Sequence, residues 1–152
     1  MTARSVTHGT FVIERSYDAS PQRVFAAWSD PKAKAQWFVG PDEWQSSDHD
    51  LDFRVGGLEH VSGGSPDGGP TFSYDARYQD IVADERIVTT YEMHMDDVRI
   101  SVSVATVEFR PECAGTRLVL TEQGAFLDGH DTPAQREHGT RELLENLGKA
   151  LG

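Results

Sequence analysis

Glu122 is the residue whose position most invites chemistry. In residues 115–126 (GTRLVLTEQGAF), strand alternation places Leu118, Leu120 and Glu122 on one face and Arg117, Val119 and Thr121 on the other. If the leucines point into a core, so does the carboxylate. A charged group on an apolar face is costly unless it is paired or meets a wet cavity. Two readings follow. Either the strand end is already exposed, or Glu122 is a polar anchor at the mouth of a ligand cavity, its pKa raised by desolvation. In the second reading it is also the candidate proton carrier for acid–base catalysis. Trp37, Tyr74, Tyr78 and Tyr91 are first of all core candidates. Together they make a set of large rings with polar tips suited to the concave side of a curved sheet.

Other chemistries find less support. The stretch 42–52 holds Asp42, Glu43, Asp48, Asp50, Asp52 and His49 without a Lys or Arg, and His60, Asp128, His130 and Asp131 add further donors. No HExxH, EF-hand spacing or His pair at i, i+4 organises them, so no metal is expected. On a strand, Asp48, Asp50 and Asp52 share a face, which suits a solvated edge that resists pairing with other chains. Residues 56–70 hold six of the 14 glycines. No Gly-Lys-Ser/Thr closes a phosphate loop there, and TFSYDARY follows where a helix is needed. The segment reads as a flexible connection between strands, and no cofactor is expected. Cys113, in PECAGT, reads as a bystander thiol, and the serines lack a nucleophile elbow. His94 and His138 fall on solvent-facing positions.

The elements that must position these residues are legible in period and punctuation. Residues 10–17 (TFVIERSY) alternate as a strand with Phe11 and Ile13 on one face. Ser20-Pro21 opens a helix, with Ser as cap and Pro at the first helical position, and Val24, Phe25 and Trp28 form its apolar stripe. Asp30-Pro31 repeats the device for a second short helix that carries Ala33 and Trp37 and stops at Gly40-Pro41. From Ser46 to Phe126 the pattern is strand throughout: 48–55, 58–61, 71–81, 86–95, 98–110 and 116–126. Short connections between them mean an antiparallel meander and not βαβ units. Residues 131–151 form the longest helix. Leu143, Leu144, Leu147 and Leu151 are its apolar stripe; Arg136, Glu137, Arg141, Glu142, Glu145 and Lys149 are its charged remainder. The fold class is α+β, in one domain spanning 1–152 with an ordered core of about 10–151.

One hairpin can be read in register. Met95-Asp96-Asp97-Val98 is a tight turn with Asp-Asp at its centre. A two-residue loop pairs Met93 with Ile100, Tyr91 with Val102 and Thr89 with Val104. That nearly all-apolar face puts Met93, Val102 and Val104 inward beside Tyr91. Val107 and Phe109 then break the parity, and a bulge near Ala105-Thr106 restores it.

The element order resembles the helix-grip fold of the SRPBCC (START-like) superfamily, which includes START lipid-transfer domains, pollen-allergen-like proteins and polyketide cyclases. Closer still, residues 19–37 (ASPQRVFAAWSDPKAKAQW), 52–57 (DFRVGG), 84–91 (DERIVTTY), 115–124 (GTRLVLTEQG) and the C-terminal EHGTRELLENL carry a resemblance to a narrower group. They are similar to bacterial single-domain members of the family named after the C-terminal domain of the heat-shock chaperone ATPase activator. The resemblance implies a curved antiparallel sheet of six or seven strands around the C-terminal helix, two short helices after the first strand, and a cavity between sheet and helix. Gly139, lacking a side chain, widens that gap. Relatives often carry a large aromatic after this glycine, where this chain has Thr140, a departure that enlarges the cavity. No catalytic residue carries over. To the rings and Glu122, the candidate lining adds Met93, Val102, Val104, Phe126, Gly139 and Leu143.

Composition bounds the partners. The 152 residues carry 14 Lys+Arg against 25 Asp+Glu, a net charge of −11, which disfavours nucleic acid and anionic membrane. No stretch reaches the ~20 apolar residues of a membrane span. The start, MTARSVTHGT, has no apolar run of a secretory signal, and the single cysteine excludes an intramolecular disulfide. The expectation is a cytoplasmic monomer or homodimer that binds a small hydrophobic molecule without catalysis. The alternatives are an enzyme of cyclase, dehydratase or hydrolase type using Glu122, and, on the family name alone, a regulator that contacts a chaperone ATPase.

Overall fold

The computed structural model describes residues 3–38, 45–64 and 67–152, apart from the side chains of 45–48. The chain runs β1 (Val6–Tyr17), α1 (Pro21–Ser29), α2 (Pro31–Trp37), β2 (Gln45–Leu51), β3 (Leu58–Gly64), β4 (Thr71–Val82), β5 (Arg86–Met95), β6 (Val98–Glu112), β7 (Gly115–Leu127) and α3 (Pro133–Leu151). Strands β2 to β7 form the expected meander. β1 returns beside β7, which closes a seven-stranded antiparallel sheet in the order β1-β7-β6-β5-β4-β3-β2. The sheet curves around α3, so the α+β helix-grip architecture holds. No helix among the described residues is long and apolar enough to cross a membrane.

The helix starts follow their caps. The Ser20 hydroxyl accepts from the Arg23 N–H at 3.2 Å, and the Thr132 hydroxyl accepts from the Gln135 N–H at 3.1 Å at the start of α3. Asp30 behaves differently: its side chain makes no cap hydrogen bond. Its backbone instead ends α1, its N–H donating to Ala26 O at 3.0 Å, while its carbonyl accepts the first bond of α2. The expected stop at Gly40-Pro41 lies outside the described residues.

Most of the core lies where α1, α2 and the C-terminal half of α3 cover one end of the sheet. Phe11, Ile13, Val24, Trp28, Phe109, Leu118, Leu144 and Leu147 are buried there. Each such aliphatic side chain contributes about 1.5–3 kcal/mol by leaving water. Trp37 packs edge-on against Trp28, with centroids 4.7 Å apart, and its ring N–H donates to Ala27 O at 3.0 Å, which locks α2 onto α1. α3 is tied to the rest of the chain at both ends. Near its end the Tyr17 hydroxyl donates to Leu144 O at 2.8 Å and Arg23 donates to Leu151 O. At its start Pro133 rests on Gly9, where a Cβ would come within 2.5 Å of Pro133 Cγ. Only a residue without a side chain lets the helix begin so close to β1.

The hairpin register differs from the sequence expectation. Asp96 and Asp97 do form the turn, with Asp96 at φ 53°, and Met95 pairs with Val98 and His94 with Arg99. The bulge falls immediately afterwards. Ile100 is the extra residue, so Met93 pairs with Ser101, Tyr91 with Ser103 and Thr89 with Ala105. Ser101, Ser103, Ala105, Val107 and Phe109 then stay in phase and buried, with no second irregularity in this pairing. Val102 and Val104 therefore sit on the outer face, 45% and 37% exposed, and do not line the concave side. The apolar-inward rule misplaced the bulge because this end of the concave face is polar, for the reason given next.

Candidate functional site

Cross-strand neighbours tile the concave face in rows. The innermost row, Ile87-Val107-Leu120-Ile13, is solid hydrocarbon. Next comes Tyr78-Thr89-Ala105-Glu122-Phe11, then Glu59-Ala76-Tyr91-Ser103-Gly124-Gly9, then Val61-Tyr74-Met93-Ser101-Phe126-Thr7. Small residues gather on β6 and β7, at Ala105, Ser103, Ser101 and Gly124, while the large side chains Tyr78, Tyr74, Tyr91 and Met93 stand on β4 and β5. α3 crosses above with Arg136, Gly139 and Leu143, which share one helix face at i, i+3, i+7. A Cβ at Gly139 would meet nothing within 4 Å. Small residues below and a glycine above leave a cavity of about 940 Å³, lined among others by Trp28, Trp37, Phe38, Tyr74, Tyr78 and Tyr91.

Two buried polar clusters sit at opposite flanks of this face. In the first, Lys34 of α2 donates to Glu59 Oε1 of β3 at 2.7 Å and to the Tyr78 hydroxyl at 3.3 Å. Tyr78 donates to the same carboxylate oxygen at 2.8 Å, and His49 Nε2 lies 2.9 Å from Oε2. Burial by itself pushes the Glu59 carboxyl up. The Lys34 charge and the hydrogen bonds from His49, Lys34 and Tyr78 outweigh it and hold the group below the usual carboxylate range. Burial pulls the Lys34 ammonium down against the support of Glu59.

The second cluster surrounds Glu122, 3% exposed. The Tyr91 hydroxyl donates to Glu122 Oε2 at 2.7 Å and accepts from Arg136 Nη1 at 2.9 Å. Arg136 Nη2 donates to the Ser101 hydroxyl at 2.8 Å and to Asp131 Oδ2 at 2.9 Å. Arg136 Nη1 itself stays 3.7 Å from the Glu122 carboxylate. Burial dominates here and pushes the Glu122 carboxyl up. The Tyr91 hydrogen bond, the Arg136 charge and the neighbouring Ser103 hydroxyl offset it only in part, and Asp131 adds to the rise. Ser101 is inward beneath the guanidinium from which it accepts, and Ser103 lies beside the Glu122 carboxyl with its buried hydroxyl making no hydrogen bond among the described residues.

Aromatic rings join the two clusters. Lys34 Nζ lies 4.3 Å from the Phe38 ring centre. Phe38 meets Tyr74 at 5.1 Å, Tyr74 meets Tyr91 at 4.7 Å, and the Arg136 guanidinium lies 5.6 Å from the Tyr91 ring. The cavity thus has a π-rich floor with a cation at each end.

This arrangement of a meander gripping a C-terminal helix over a partly filled concave face has relatives. A family model described as Activator of Hsp90 ATPase homolog 1-like protein matches residues 18–152. The chain belongs to this family. Among solved structures, it is similar to an uncharacterised protein from Rhizobium leguminosarum, 48% identical over 99% of this chain and 98% of that one, with a TM-score of 0.93. The Mll3558 protein from Rhizobium loti is also 48% identical, over 96% and 99% of the two chains, with a TM-score of 0.88. Protein CV1439 from Chromobacterium violaceum is 26% identical over 93% and 96%, with a TM-score of 0.78. No curated protein matches the chain.

Within this family framework, the residues singled out from sequence divide cleanly. Trp37, Tyr74, Tyr78, Tyr91, Met93, Glu122, Gly139 and Leu143 border the cavity. Val102 and Val104 lie on the outer face for the reason of the shifted bulge. Phe126 is buried under the Arg136 guanidinium, 5.1 Å from its ring centre, and does not border the cavity. Arg136, which its place on the charged side of α3 assigns to solvent, is a central member of the second cluster. Lys34, Glu59 and His49 were missed as a unit. The signals were there: Lys34 precedes Trp37 by one helical turn, and Glu59 shares strand parity with Val61. A lysine and a glutamate at inward positions are a pair only once the fold brings α2 over β3. Of the acidic stretch, Asp42 and Glu43 lie outside the described residues, and Asp50 is exposed on the edge strand.

Proposed function

We propose that the chain is a binding module for a small, largely hydrophobic molecule held between the sheet and α3. The observation that carries this reading is the open volume of about 940 Å³ between the concave face, with its small residues on β6 and β7, and Gly139. It falls within the ~300–1,000 Å³ of small-molecule sites and has their make-up, mostly apolar and aromatic with a few fixed polar groups. Gly139→Phe tests it. The new ring enters the open space above the rows and should abolish binding of the neutral fluorophore prodan. Thermal stability should hold or rise, since a glycine inside a helix costs roughly 0.5–1 kcal/mol. Native mass spectrometry of protein from its own source should show a co-purifying small molecule. Unchanged prodan binding in the variant together with an empty native spectrum would refute the proposal.

A second reading is an enzyme in the same cavity, with Glu122 as the proton carrier in a cyclisation, dehydration or hydrolysis. It is favoured by the Tyr91 hydroxyl 2.7 Å from a carboxyl whose affinity for its proton is raised. Glu122→Gln should then abolish turnover, and full activity in that variant would remove Glu122 from the role. Nothing in the described geometry favours chaperone regulation over these two.

A further inference from the structure

The two polar clusters differ in what they leave for a ligand. Around Lys34, donors and acceptors are matched: one ammonium, one carboxylate, and a tyrosine hydroxyl that bridges them. Around Glu122 the charges do not balance in the same way. One guanidinium serves two acids, and it stands in direct contact with Asp131 at 2.9 Å but 3.7 Å from Glu122. If both acids are ionised, the cluster carries an excess negative charge beneath an apolar cavity, which is costly. If Glu122 keeps its proton, the cluster is neutral. The Tyr91 hydroxyl already donates to Oε2, so the acid proton belongs on Oε1, on a residue that borders the cavity.

Resting on the reading of the cavity as a ligand site, we infer that it selects apolar, ring-bearing molecules with a neutral hydrogen-bond acceptor, a ketone, ester or amide carbonyl, which takes a hydrogen bond from the Glu122 carboxylic acid. The alternatives fit less well. A ligand carboxylate finds no unengaged cation beside Glu122: Lys34 is held by Glu59, both terminal nitrogens of Arg136 are engaged by Tyr91, Ser101 and Asp131, and Lys149, which also borders the cavity, is exposed in the last turn of α3. A ligand ammonium needs an ionised Glu122, which burial opposes. The rings of Phe38, Tyr74 and Tyr91, packed edge-on and tilted along the cavity between the clusters, offer aromatic contacts to a ring-bearing ligand. The charged and titratable groups that face Glu122 are Arg136 of α3, Asp131 ahead of α3, Tyr91 of β5 and Tyr74 of β4. Among these, Arg136 keeps its charge, its proton held against burial by the neighbouring Tyr91, Glu122 and Asp131, and the tyrosines stay protonated because burial pushes them up.

The test uses four probes on one naphthyl skeleton: acetonaphthone, ethylnaphthalene, naphthoate and naphthylethylammonium, followed calorimetrically across pH. The ketone should bind about tenfold tighter than the hydrocarbon while Glu122 holds its proton, the worth of one good hydrogen bond. That preference should fade as pH rises through the Glu122 titration, and naphthoate should never exceed the hydrocarbon. Glu122→Gln keeps a donor without a titration, so its ketone preference should persist at high pH. Glu122→Leu should make ketone and hydrocarbon equal. Equal binding of ketone and hydrocarbon by the wild-type chain, or tightest binding of naphthoate or of the ammonium, overturns the carbonyl assignment and leaves the cavity reading standing. If none of the four binds, both fall.

Discussion

Glu59 and Glu122 are the same residue type, buried on the same concave face of one sheet, and their surroundings push them in opposite directions. Glu59 is held ionised below the usual carboxylate range, and Glu122 is pushed above it. Exposure does not separate them, at 1% and 3%. The partner does. Glu59 has a cation at 2.7 Å with no competing acid, whereas the cation nearest Glu122 is 3.7 Å away and is shared with Asp131. A buried carboxylate with its own ammonium is a structural clamp. One whose cation is shared with a second acid is pushed toward its neutral, proton-donating form.

The largest expected effect breaks the clamp. Glu59→Leu leaves the fully buried Lys34 without its counter-ion and should destabilise the fold by about 3–5 kcal/mol in denaturant unfolding. Combining it with Lys34→Met should recover most of that loss, because the apolar pair has no desolvation penalty to offset. A double variant as unstable as the single one would show that the clamp's role lies in its hydrogen bonds to Tyr78 and His49. The next effect lies in pH dependence, and the two sites carry opposite signs. Glu59 has a lowered folded pKa. Relative to Glu59→Gln, the wild-type chain should keep its advantage above the ordinary value of 4.5 and lose it as pH falls through the folded pKa. Glu122 has a raised folded pKa. Relative to Glu122→Gln, the wild-type chain should lose stability as pH rises from 4.5 through the folded value. Thermal unfolding of both variants against pH checks this, and slopes of the same sign would end the contrast. At neutral pH, Glu122→Gln itself should shift stability by no more than about 1 kcal/mol, since the amide can still accept from Tyr91.

A smaller pair of changes maps where the Glu122 cluster ends. Ser101→Ala removes a hydroxyl bonded to Arg136 and should cost about 1 kcal/mol. Val102→Thr, one position along on the outer face, should stay within about 0.5 kcal/mol. The reverse order would return β6 to the register that its apolar residues suggest.

The sequence by itself determined the element order, the antiparallel meander, the cap at Ser20 and the strand face that Glu122 shares with Leu118 and Leu120; that this end of the face is buried was left to the fold. Each of these rests on local periodicity or on a residue's own backbone preference, which a chain cannot hide. The tertiary structure decided the rest. The register of β6 turned on a bulge at Ile100 that exchanges two valines for two serines, and that exchange makes sense only beneath Arg136. Whether a buried acid is clamped or neutral depends on which cation arrives, and from which element: Lys34 from α2 for Glu59, Arg136 from α3, already shared with Asp131, for Glu122. Such pairings join residues 25 and 14 positions apart in the chain. They are electrostatic facts about distance and desolvation, and neither quantity exists until the chain has folded.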